Sequence, residues 1–156
     1  PYAASSFYAV DRYASYKTRW GSFYEAGGIV IADRYTTSNA VHQCSKLPPD
    51  QWDGFLRWAF EYEYRLLGLP APDAVVSLQV DPAVSQKLMT GRYHGDESRK
   101  DVHEKDTEYL ARSRRAAEYC AAHLGWATVH CTKNGAMRTI EDIQAEVRAL
   151  AEKALG

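Results

Sequence analysis

Three short apolar runs set far apart, at 29–32, 74–80 and 127–131, narrow the available folds more than any other feature of this chain. Each is nearly continuous rather than alternating, the pattern of a strand covered on both faces. Segments with helical spacing separate them, and that rhythm implies right-handed crossovers and a parallel sheet. The expected order is helix, strand, helix, strand, helix, a charged lid, helix, strand, helix. The first run, GIVIADRY at 28–35, is expected as a buried strand that ends in Asp33-Arg34. With 156 residues, 46% of them hydrophobic, one α/β domain of this kind has enough apolar surface for a core.

The helices carry readable ends. One is expected from Ser5 to about Ala26, with Phe7, Val10, Ala14 and Phe23 on one side and Gly27-Gly28 closing it. Asp50 is placed to cap a helix carrying Trp52, Phe55, Leu56, Ala59 and Leu66, which ends at Gly68 before Pro70. Asp81-Pro82 supplies a cap followed by proline at the first helical position. Thr139 and Asp142 form a capping-box-like start for a last helix, with Ile140, Ile143, Val147, Leu150 and Ala154 as its core stripe.

Charge excludes several function classes. The 19 basic and 20 acidic residues nearly cancel, so neither nucleic acid nor an anionic membrane is an expected partner and any anion site must be local. Cys44, Cys120 and Cys131 show no CxxC spacing, which fits a reducing, cytoplasmic setting better than a disulfide framework. The five histidines add no metal-ligand spacing. No apolar run is long enough to span a membrane. No repeat or low-complexity linker divides the chain, so a single domain over 1–156 is expected, with residues 90–108 as a lid within it.

In a parallel sheet, ligands collect outside the carboxyl ends of the strands, which is where Asp33 and Arg34 are expected. A carboxylate there can hold Mg²⁺, directly or through water, and a guanidinium can clamp phosphate oxygens. Alone, the pair reads equally well as a cap and a surface ion pair. Thr36, Thr37, Ser38, Asn39 and Gln43 follow at once, and a charged clamp beside an amide-rich wall suits a ligand with a phosphate end and a base end. Tyr8 and Arg12, four apart, share a helix face that could stack on a planar base and bond its carbonyl. The plainer alternative is a core aromatic and a surface charge. The GRYHG stretch at 91–95 and the mixed charges after it suit a lid in which Arg92 and Arg99 reach transferring phosphates. A solvated segment with internal ion pairs accounts for most of those charges as well.

Taken in order, these pieces resemble the thymidylate kinase family of the P-loop nucleoside-monophosphate kinase superfamily. FYAVDR at 7–12 is similar to the family's aromatic-x-x-x-Arg helix, and DRYTTSNAVHQ at 33–43 to its DRY-x-x-S-x-x-x-x-Q motif. LGLPAPDAVVSLQVDP at 67–82 looks like the stretch leading into the fourth strand, and residues 90–110 occupy the lid position. The resemblance implies a three-layer αβα fold with a parallel sheet. It implies that Tyr8 stacks on thymine while Arg12 bonds its carbonyl. Arg34 would hold the acceptor phosphate, Asn39 would read the pyrimidine edge, and Ser38 and Gln43 would complete the pocket. Asp33 would help position magnesium and the phosphates.

Three departures accompany the match. His42 stands where many members carry tyrosine, Asp101-Val102-His103-Glu104 replaces a lid pattern with an arginine after the aspartate, and no GxxxxGK[ST] occurs in the sequence. The resemblance therefore implies a chain without the family's first strand, P-loop and first helix. Its implied activity is transfer of a phosphoryl group from Mg-ATP to dTMP, a step in nucleotide biosynthesis, by a protein that forms homodimers. The 156-residue polypeptide is expected to be inactive by itself. A kinase of other base preference and a non-catalytic nucleotide-binding protein are the alternative expectations.

Overall fold

The computed structural model describes residues 1–92 and 107–156, which cluster into two compact units. The first comprises Pro1–Ala71 with Arg112–Ala117, and the second Pro72–Ala111 with Glu118–Gly156. Together they form a mixed helical protein with a small parallel sheet.

The first unit is helical. Helix α1 (Tyr2–Ser15) runs through a π-helical turn, Tyr16–Trp20, into α2 (Gly21–Glu25). The helix closes as expected at Gly27, whose φ of 89° suits only glycine comfortably. The amide of Gly28 donates to Phe23 O and that of Gly27 to Tyr24 O, the paired bonds that satisfy a helix end. Helix α3 (Thr36–Cys44) follows, then a short 3₁₀ turn at Pro49–Gln51 and α4 (Trp52–Phe60), which continues as a second π-helical segment, Glu61–Leu66. The core gathers Ala9, Tyr16, Ala40, Cys44, Trp52, Phe55, Leu56, Ala59 and Leu69. Tyr2 packs edge-on against Phe55 and Trp58, with ring centroids 5.3 and 4.7 Å apart.

The buried side of α1 is not the apolar one. Phe7 is 79% exposed, and Val10, Ala14 and Phe23 are exposed with it, whereas Ser5, Ala9 and Tyr16 are buried. Ser5, Ala9, Arg12 and Tyr16 recur at helical spacing, so a mostly polar stripe faces inward. It does so because Ser5 and Arg12 find buried polar partners on α3 and after α4. On α4 the expected stripe holds at Trp52, Phe55, Leu56 and Ala59, but Leu66 is 60% exposed. The wider π turn spreads the last residues round the axis and turns Glu63 inward instead. Asp50 forms no side-chain cap, because the 3₁₀ turn places Gln51 at the helix entry.

The largest correction concerns the first apolar run. Residues 28–32 form no strand, and Ile29 and Ile31 are 61% and 91% exposed. A strand needs a neighbour for its N–H and C=O groups. Among the described residues the parallel ladder joins only β1 and β2 and offers this segment no partner.

In the second unit the other two runs are strands as expected. β1 (Val76–Gln79) pairs in parallel with β2 (Ala127–His130), Val76 opposite Ala127 and Gln79 opposite His130. Only Val129 among them is fully buried, and Leu78 is exposed, so these strands are not covered on both faces. Between them lie α5 (Pro82–Arg92) and α6 (Thr107–His123). Asp81 caps α5 as its sequence suggests, its Oδ1 accepting from Ala83 N at 2.8 Å. An unanticipated hairpin of β3 (Thr132–Lys133) and β4 (Ala136–Met137) turns on Asn134-Gly135. Both turn residues have positive φ, 53° and 73°, as a type I′ turn demands. Helix α7 (Ile140–Leu155) starts where expected, with Thr139 Oγ1 accepting from Asp142 N at 3.1 Å. Its stripe is only half-buried at Ile143, Val147 and Leu150, and Ile140 and Ala154 are exposed. Arg138 ties its first turns down, donating to His130 O, Glu146 Oε2 and Asp142 O.

Candidate functional site

Helices α1 and α3 and the π segment after α4 bring a polar cluster into the interior of the first unit. Arg12 donates from Nε to Glu63 Oε2 and from Nη2 to Glu63 Oε1, both at 2.6 Å. The pair is deeply placed, with side-chain exposures of 16% for Arg12 and 2% for Glu63. Such a fork-to-fork contact fixes the guanidinium plane. Asn39 Nδ2 donates to the same Glu63 Oε1 at 3.4 Å, and Ser5 Oγ donates to Asn39 Oδ1 at 3.3 Å. The sequence-predicted residues Arg12 and Asn39 are thus joined through a third side chain that no motif marks. The signal for Glu63 is its spacing. It lies four residues beyond Ala59 on the apolar stripe, and a carboxylate on a buried stripe requires a partner.

Arg34 lies apart from that cluster in its bonding. Its φ of 69° is left-handed, uncommon for a residue with a side chain. Nε donates to Ser38 Oγ at 2.8 Å, one turn into α3. Among the described residues it has no carboxylate partner. Asp33, beside it, is exposed. Gln43, one turn after Asn39 on α3, is buried, and its Oε1 has no hydrogen-bond partner among the described residues. Buried amide oxygens are rarely left so. Tyr8 is exposed on α1, one turn before Arg12. His42 is half-buried. Arg92 ends α5, while Arg99 and residues 93–106 of the expected lid lie outside the described residues.

Aromatic residues support this side of the unit. Tyr35 OH donates to Pro70 O at 3.0 Å, and the hydroxyls of Thr36 and Tyr64 meet at 2.5 Å. Trp20 contacts the rings of both Tyr16 and Tyr35 edge-on. Burial raises the Tyr35 hydroxyl well above the usual tyrosine range, and Tyr64 and Glu63 push it further the same way. Burial raises Tyr64 as well, against the opposing effect of its bond to Thr36.

Among the described residues no three histidines, cysteines or acids gather as a metal site. No described helix is long and apolar enough to cross a membrane.

No family model matches the chain. It is similar to the thymidylate kinases of Mycobacterium tuberculosis strains CDC 1551 and H37Rv, 32% identical to each over 126 residues, 80% of this chain. A probable thymidylate kinase of Staphylothermus marinus is 33% identical over 84 residues, 54% of this chain and 38% of that protein. The chain spans 58% of the length of the M. tuberculosis proteins. These relatives share a class, the nucleotide kinases. More narrowly, the chain is a homologue of the thymidylate kinases, as the FYAVDR and DRYTTSNAVHQ motifs lead one to expect.

Proposed function

We propose that this chain forms the acceptor side of a thymidylate kinase, binding dTMP for phosphoryl transfer from Mg-ATP to give dTDP. The observation that carries the reading is the division between two arginines. Arg12 is neutralised by Glu63 and suits an uncharged base carbonyl, whereas Arg34 is exposed, without a carboxylate partner among the described residues, and suits a phosphate. Ser38 orients Arg34, and Gln43, buried one turn after Asn39 on α3, completes the wall of the pocket. Tyr8 supplies an exposed ring for stacking, and Asn39 a second edge for the base. Positioning and charge neutralisation provide most of the acceleration in such transfers, with no covalent intermediate. Asp33 would hold magnesium through water, and the ion when bound neutralises charge developing on the phosphates. By the resemblance to the family's lid, Arg92 and Arg99 would serve the transferring group.

A thermal-shift series with dTMP, dUMP, dCMP, dGMP and UMP tests the acceptor assignment. A ligand present at about a hundred times its Kd should stabilise the fold by about 2.7 kcal/mol. The greatest shift is expected with dTMP, and a greater one with dGMP would sink the assignment.

A second reading keeps the acceptor pocket without phosphoryl transfer, as a nucleotide-binding protein that does not use ATP. The 156-residue polypeptide is expected to bind dTMP and to form no dTDP with Mg-ATP. Formation of dTDP by a longer protein carrying these residues would decide for the kinase. The exposed Phe7 and Val10 on α1 support a homodimer. Phe7→Asp should then lower the mass measured by light scattering.

A further inference from the structure

The acceptor reading leaves Glu63 without a role. It is almost completely buried, cannot touch a ligand, and takes two of the five N–H donors of Arg12. An ion pair buried to this degree seldom adds net stability over apolar packing of the same volume. The pair does two things that an apolar replacement could not. It cancels the charge of Arg12, which would otherwise favour an anion at that place. It also fixes the guanidinium plane, so that the Nη1 edge and the remaining Nη2 hydrogen point away from Glu63 in one direction. Asn39 is held by the same carboxylate oxygen on one side and by Ser5 on the other, which sets which end of its amide is which.

We propose that Glu63 is the positioning residue for base selection: by holding Arg12 as a charge-neutralised, donor-only edge, it makes the site accept a pyrimidine carbonyl and reject an amino group at the same ring position. An amino group would set donor against donor, and the fixed guanidinium cannot turn to relieve it. This deepens the acceptor reading and rests on it. Glu63→Gln is the informative change, because the amide NH₂ would face one of the Arg12 donors and the fork would break. Arg12 would then swing free and keep its charge.

The experiment measures Kd for dTMP and dCMP by calorimetry on the full chain and on Glu63→Gln and Glu63→Asp, with the unliganded Tm of each. The carboxylate of Glu63→Asp keeps its charge but is drawn back by one methylene. In Glu63→Gln the affinity for dTMP should fall about ten-fold or more while that for dCMP changes little, so that the preference collapses. Glu63→Asp should lie between the two, and it decides alone if Glu63→Gln does not fold. Equal weakening of both nucleotides would mean that Glu63 only supports the fold, and an unchanged preference would also overturn the proposal. Failure of the parent chain to bind dTMP would remove the acceptor reading and this one together. Retained preference in the variants removes only the role of Glu63.

Discussion

Arg34 holds a φ of 69°, a conformation that costs a residue with a side chain about 1–2 kcal/mol, and it does so beside an exposed carboxylate and with one hydrogen bond, to Ser38. Strain of this kind persists where a side chain must point in one direction. Arg34→Gly should therefore leave the unfolding free energy unchanged or raise it by up to about 1 kcal/mol, while dTMP affinity falls at least ten-fold. Loss of stability with unchanged affinity would contradict both halves of that expectation. Tyr35 gives a test by pH. Its hydroxyl titrates higher in the folded chain than the value of about 10 usual in an unfolded one. The folded state thus binds this proton more tightly, and the associated stability is fully present below about pH 10 and lost as pH rises toward the folded value. Denaturant titrations should give a flat curve from neutral pH to about pH 9 and a fall above pH 10. Tyr35→Phe should lower stability by about 1 kcal/mol at neutral pH and make the alkaline fall shallower. Parallel curves for the two proteins would exclude the assignment.

At the scale of elements, the two π-helical segments explain most of what the sequence pattern conceals. Apolar spacing locates α4 and its inward residues Trp52, Phe55, Leu56 and Ala59, and reaches Glu63 four residues further on, but the same period carried to Leu66 fails in the π segment, where Leu66 is exposed. The extra residue in the turn shows no compositional mark. Phe55→Ala should cost about 3–5 kcal/mol, since its ring is wholly enclosed, and Leu66→Ala less than about 0.5 kcal/mol. Comparable losses at the two positions, in denaturant titration, would restore the regular helix. Helix α1 misleads for a different reason. Its buried stripe is polar at Ser5 and Arg12, so a rule that seeks apolar faces selects the exposed side at Phe7 and Val10. The caps at Asp81 and Thr139, by contrast, were legible because a side-chain hydrogen bond to a nearby amide is a local event.

Over the whole molecule, local signals outran pairing signals. β1 and β2 were readable as apolar runs, and so was their parallel order from the helical residues between them. The run at 28–32 carries the same signal without a partner strand among the described residues, because apolar composition says that a segment can be buried but not what will bury it. The candidate site divides in the same way. Arg12, Arg34, Ser38, Asn39 and Gln43 follow from motif spacing, whereas Glu63 depends on a contact across 51 residues of sequence. Stability should be equally uneven. Helix α7 contains no fully buried residue, and among the described residues Arg138 ties its first turns to the rest of its unit. A helix held in this way opens without disturbing what lies beneath it. Its amides would exchange with solvent early, and a protease would trim this end of the chain long before it reached the enclosed ring of Phe55.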